Sequence, residues 1–147
     1  MINLFDDKFF MAEALKEAKK ADEIGEVPVG AVVVIKNKII ARSHNLTQCL
    51  NDITAHAEMQ AITSASNYLN GKYLKGCSIY ITLEPCVMCA GALFWSQIDR
   101  VIYSASDIER GFSRMENLLH PKTKIQRGDF VKESEELLKN FFKNKRK

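Results

Sequence analysis

Residues 27–45, VPVGAVVVIKNKIIARSHN, constrain the fold of this chain more than any other stretch. A continuous β-branched run, a polar break at Lys36, Asn37 and Lys38 and a second apolar run predict a hairpin of two strands. What surrounds the hairpin excludes an all-β design. Before it, residues 6–23 place Phe10, Met11, Ala14, Leu15, Ala18 and Ala21 on one side of an amphipathic helix that ends near Gly25. After it, a polar loop, SHNLTQCLND, leads into an apolar stretch of helical period, ITAHAEMQAI. CSIYITL and RVIYSAS read as further strands, and EPCVMCAGALFWSQ between them as a helix with Pro85 in its first turn. ERGFSRMENLLHPKT is an irregular segment with a short helix stopped by Pro121, and IQRGDFV a last strand or strand end. A helix from about residue 132 closes the chain on a stripe of Leu137, Leu138, Phe141 and Phe142. Helices interspersed among strands indicate an α/β layered domain.

The 147 residues suit a single domain, 1–147, and 46% apolar with 27% charged residues is the composition of a soluble globular protein. No apolar run approaches a membrane span, and the acidic start MINLFDDKFF does not resemble a signal peptide, so the expected location is cytoplasmic with no membrane partner. A net charge of +3 is too small to identify a nucleic-acid partner. Four of the five residues Lys143 to Lys147 are nevertheless basic, which reads either as a helix-terminating tail or as a phosphate contact. Lys72, Lys75, Lys122, Lys124 and Arg127 would extend that patch if the fold brought them together.

The chemistry is concentrated in two short motifs. In ITAHAEMQAI, Ala55, Glu58, Met59 and Ile62 share a helical face, so a carboxylate points where a core is expected, at a cost unless it has a partner or a task. In EPCVMCAGAL, Cys86 and Cys89 are three apart at a helix start, close to the positive end of the dipole that favours thiolates. The cysteine pair alone suits a disulfide-exchange pair, two zinc ligands or two small buried side chains. Adding His56 supplies three ligands with a fourth position open, the arrangement of a catalytic zinc site, and redox chemistry would need neither His56 nor Glu58. Glu58 then reads as the proton carrier beside the metal. The combination of H-x-E with P-C-x-x-C is a signature of zinc deaminases.

EVPVGAVVV, NDITAHAEMQAI and TLEPCVMCAGAL together resemble the bacterial tRNA-specific adenosine deaminases, over most of the chain and as far as the FF near its end. The resemblance implies a three-layer α/β/α cytidine-deaminase-like fold with a central mixed sheet, a homodimer, and conversion of adenosine to inosine at the wobble position of a tRNA anticodon. It implies one zinc ion per chain on His56, Cys86 and Cys89, Glu58 as proton shuttle, Asn45 as a hydrogen-bonding contact to the target base, and Val27 and Pro28 as pocket lining. Asp107 matches an acidic position near the bound RNA, and Phe141 belongs to the aromatic and basic surface available to a stem-loop. The segment after RVIYSAS departs from the family pattern: Glu109 stands where a lysine is expected, and Arg110 and Phe112 replace smaller groups. The rival reading is a deaminase of free guanine or cytosine with the same metal site. A non-catalytic zinc module would need a fourth ligand, Cys49 or Cys77, and a thioredoxin-like oxidoreductase would bind no metal.

Overall fold

The computed structural model describes residues 5–145. Helix α1 (Asp7–Glu23) is capped by Asp6, whose side chain accepts from the Phe9 N–H at 2.9 Å. Strands β1 (Gly30–Ile35) and β2 (Lys38–His44) form the expected hairpin. Lys36 and Asn37 both take positive φ, the geometry of a tight turn that matches the strand twist. There follow α2 (Ala57–Leu69), β3 (Cys77–Leu83), α3 (Val87–Ser96), β4 (Arg100–Ala105), β5 (Lys124–Arg127) and α4 (Val131–Lys145).

The five strands make one sheet in the order β2-β1-β3-β4-β5. β1 runs antiparallel to both its neighbours, whereas β3, β4 and β5 are parallel, so the sheet is mixed as expected. Strand alternation then separates two cores. Ala31, Val33, Ile79, Ile81, Val101 and Tyr103 face one side, where Ala57, Ala61 and Ala65 of α2 and Ala90 and Leu93 of α3 cover them. Val32, Val34, Tyr80 and Ile102 face the other, under Phe10, Met11 and Ala14 of α1. α4 packs beside α1 and reaches β4 and β3. The result is three layers, α/β/α. α1 lies so close to β1 that a Cβ on Gly30 would stand 2.1 Å from the Ala14 carbonyl oxygen, so glycine is required there.

Local structure departs from the sequence pattern in four places. His56 is the N-cap of α2 rather than a residue inside it, because Asp52 holds a turn by accepting from the Thr54 N–H and hydroxyl. The buried line of α2 is accordingly Ala57, Glu58, Ala61 and Ala65, with Met59 and Ile62 only half-buried. Pro85 precedes the N-cap of α3, which is Cys86. Between β4 and β5 the expected helix reduces to a single 3-10 turn, Phe112–Arg114, that ends well before Pro121. On α4, Phe141 is buried while Phe142 is exposed, since the packed face runs through Ser134, Leu138 and Phe141 and leaves Phe142 off it.

Candidate active site

The N-termini of α2 and α3 converge beyond the end of β3. His56 and Cys86 are the two N-caps, and Cys89 lies in the first turn of α3. His56 Nδ1 is 3.7 Å from Cys86 Sγ and 3.5 Å from Cys89 Sγ. Tetrahedral zinc with ordinary Zn–S and Zn–N bonds would set each nitrogen–sulfur separation at about 3.6 Å, so the donor set has the spacing that the ion requires. Both helix dipoles also favour the thiolate form of the ligands. The hydrogen bond from Cys89 brings Cys86 down to about 4, with further lowering by His56, while the same bond and burial push Cys89 up. His56 is raised, chiefly by its hydrogen bond to Cys86. Cys49 and Cys77 stand outside the group, Cys77 at the opposite end of β3, so no fourth protein ligand closes the site among the described residues.

Glu58, one residue into α2, is 4% exposed. Burial pushes its carboxyl up to about 7, opposed by a hydrogen bond from its own backbone N–H and the nearby His56. A bound dication would counter that burial and favour the carboxylate. Glu58, His56 and Cys86 line a cavity of about 180 Å³ together with Asn45, Val27, Val29, Leu83, Glu84, Asp107 and Arg110. One wall is thus acidic and metal-ligating, and another is apolar.

Asn45 follows β2 directly, and its backbone N–H donates to the Val29 carbonyl at 3.1 Å. Ser43 and Gln60 fasten that strand end to α2: Ser43 Oγ donates to the Ala57 carbonyl at 2.6 Å and Gln60 Nε2 to the His44 carbonyl at 2.9 Å. The opposite wall is the Asp107–Ser113 loop. Asp107 accepts from the backbone N–H groups of Glu109 and Arg110, and Gly111 bridges to the backbone of Cys86. Buried Glu84 accepts from the N–H groups of Asp107 and Ser113 and from the Ser113 hydroxyl. A Cβ on Gly111 would meet Glu84 Oε2 at 2.2 Å, so this loop closes on the carboxylate only through a glycine.

Of the residues expected from the sequence, His56, Glu58, Cys86, Asn45, Val27 and Asp107 line the cavity, and Cys89 completes the donor set beneath it. Pro28 is buried between two lining residues without lining the cavity itself. Phe141 lies away from the cavity, packed edge-on against Phe142 with Lys145 Nζ 5.6 Å from its ring centre. The basic patch does not assemble at the site. Lys75 and Lys122 share a cleft at the start ends of β3 and β4, and Arg127 is turned onto the Ser104 carbonyl. Arg146 and Lys147 lie outside the described residues. Sequence reasoning missed Val29, Leu83, Glu84 and Glu26. The last two carried no periodic signal, since each stands at the edge of an element, Glu26 after Gly25 and Glu84 before Pro85.

Comparison with known proteins agrees with the geometry. The cytidine and deoxycytidylate deaminase zinc-binding region matches residues 5–105. A tRNA-specific adenosine deaminase of Aquifex aeolicus is 47% identical over 95% of both chains. A structure solved in biochemical and structural studies of A-to-I editing by tRNA:A34 deaminases at the wobble position of transfer RNA is 42% identical. It superposes with a TM-score of 0.82 over 88% of this chain and 98% of that one. The guanine deaminase of Bacillus subtilis is 36% identical, with a TM-score of 0.66 over 71% of this chain and 66% of that one.

Proposed function

Because the chain belongs to the cytidine and deoxycytidylate deaminase zinc-binding family, and within it to the tRNA-specific adenosine deaminases, we propose that it hydrolyses adenosine to inosine at the wobble position of a tRNA anticodon. The observation that carries the chemistry is a His–Cys–Cys donor set at zinc spacing beside a buried, non-ligating carboxyl group. The target base leaves its stack to enter the cavity, where Val27, Val29 and Leu83 offer apolar contact to the ring and Asn45 a hydrogen bond. His56, Cys86 and Cys89 hold the single zinc ion of the chain. When bound, zinc acidifies water and so supplies a nucleophile near neutral pH. Glu58 carries the two protons of the attacking water in turn, the first to the ring nitrogen N1 as oxygen bonds C6 and the second to the amine as the C6–N bond breaks, so that water and adenosine become inosine and ammonia. Asp107 and Arg110 meet the nucleotides that flank the target at the rim.

The basic end of α4 belongs to the outer RNA surface in this reading, through phosphate contacts rather than base recognition, while buried Phe141 packs beneath it. The exposed apolar side chains Val87, Met88 and Trp95 on α3, the last 77% exposed, support a homodimer that covers them. Among the described residues no helix is long and apolar enough to cross a membrane. A cytoplasmic location, residues 1–147 forming one domain, suits a site built on reduced thiols.

The test is inosine formation in an anticodon stem-loop carrying adenosine at the wobble position, against ammonia release from free guanine and cytosine. Turnover of the stem-loop with none of the free bases is expected. Turnover of guanine with no inosine would overturn the tRNA assignment in favour of the free-base reading.

A further inference from the structure

Glu26 touches neither the metal ligands nor the cavity, yet it is among the most buried charged side chains, at 1% exposure. A carboxyl group so placed requires donors, and three reach it. The N–H of Cys49 donates at 2.7 Å, the N–H of Gln48 at 3.0 Å and Asn45 Nδ2 at 3.4 Å. Asn45 Nδ2 also donates to Thr47 Oγ1 at 3.2 Å. Both hydrogens of the Asn45 amide are thereby directed into the protein. No described residue donates to Asn45 Oδ1, and that oxygen is not among the buried unsatisfied atoms, so it is left for whatever enters the cavity.

We propose that Glu26 is a positioning residue that turns the Asn45 side chain so that its carbonyl oxygen, and not its nitrogen, faces the substrate. The inference rests on the reading of Asn45 as a substrate contact. A carboxylate accepts and does not donate, so the Asn45 amide keeps its nitrogen toward Glu26. The same carboxylate clamps the start of the 45–55 loop, which closes on itself through the Leu46 N–H to the Ala55 carbonyl at 3.0 Å. Asn45 therefore presents an acceptor. It matches an N–H or O–H of the target nucleotide, such as the exocyclic amine of adenine or a ribose hydroxyl, and leaves an acceptor such as a ring nitrogen unmatched.

Glu26→Gln keeps the shape of the side chain but turns one acceptor into a donor among three donors, which releases the Asn45 amide to rotate. In the zinc-loaded enzyme this change is expected to lower kcat/KM for the stem-loop by about 10- to 100-fold, with zinc content unchanged. With Asn45 already replaced by alanine, Glu26→Gln is expected to lower it no further, since a residue that acts through another has nothing left to position. Equal losses in both backgrounds would overturn the proposal while leaving the tRNA reading intact. Side-chain amide hydrogen exchange in isotope-labelled wild-type protein tests it without a substrate. Slow exchange at the Asn45 amide, becoming fast in Glu26→Gln, is expected. An Asn45 amide that exchanges as freely as an exposed asparagine in the wild type would overturn the proposal even if the stem-loop were not a substrate, a failure that would fall on the functional reading instead.

Discussion

Glu58 and Glu84 stand on two walls of one cavity and are buried to almost the same degree, 4% and 3% exposed. Their partners differ completely. Glu84 collects two backbone N–H groups and a hydroxyl from the Asp107–Ser113 loop, so its acceptor capacity is spent on holding that loop. Glu58 receives no hydrogen bond from the backbone of another segment among the described residues, and burial drives its carboxyl up to about 7. Burial alone therefore does not distinguish a catalytic carboxyl from a structural one. The donor set does: Glu84 is held by a loop distant in sequence, as a bracket is, whereas Glu58 has only its own backbone N–H and the metal-site side chains beside it, which suits the proton exchange proposed for it.

The largest effect should come from Glu58→Ala, which is expected to lower turnover of the stem-loop by about 100- to 10,000-fold while zinc content and melting temperature stay near wild type. Activity retained in both Glu58→Ala and Glu58→Gln would erase the contrast, because another group would then move the proton. Glu84→Ala is expected to show the opposite balance, losing about 2–4 kcal/mol of stability in urea unfolding as buried donors are left unpaired. Gly111→Ala should act in the same direction by pushing the loop off Glu84, at a cost of about 1–3 kcal/mol. If Glu84→Ala unfolds like wild type, the bracket assignment fails. The smallest effect belongs to the surface. Replacing Lys143 and Lys145 with glutamine should reduce the slope of log affinity against log salt by about 0.7 to 0.9 per lost phosphate contact and leave the readouts of both carboxylates unmoved. An unchanged slope would remove the end of α4 from the RNA surface.

The sheet was legible wherever hydrophobic period and length agreed. β1 to β4 and α1 follow their patterns because each buries one clean face, and periodicity reports that face directly. The pattern failed where tertiary contacts substitute for hydrophobic period. Residues 107–123 hold their shape through Glu84, the Cys86–Gly111 bridge and the Phe112 N–H to the Pro85 carbonyl, none of which leaves a periodic trace. α4 failed in a milder way, since an apparent Leu and Phe stripe does not reveal that Phe142 has no layer above it.

For the site, the division falls between atoms that react and atoms that hold. His56, Glu58, Cys86 and Cys89 were readable because the metal binding and proton transfer proposed for them restrict residue type and gather the residues into two short helix-start motifs, H-x-E and C-x-x-C. Glu26 and Glu84 were decided by the tertiary structure alone. Each reaches donors about twenty or more residues away along the chain, at Asn45 to Cys49 and at Asp107 to Ser113, and only the folded sheet brings those ends together. Their separation in sequence conceals the pairing, because a hydrogen bond depends on distance in space while the sequence records only order along the chain.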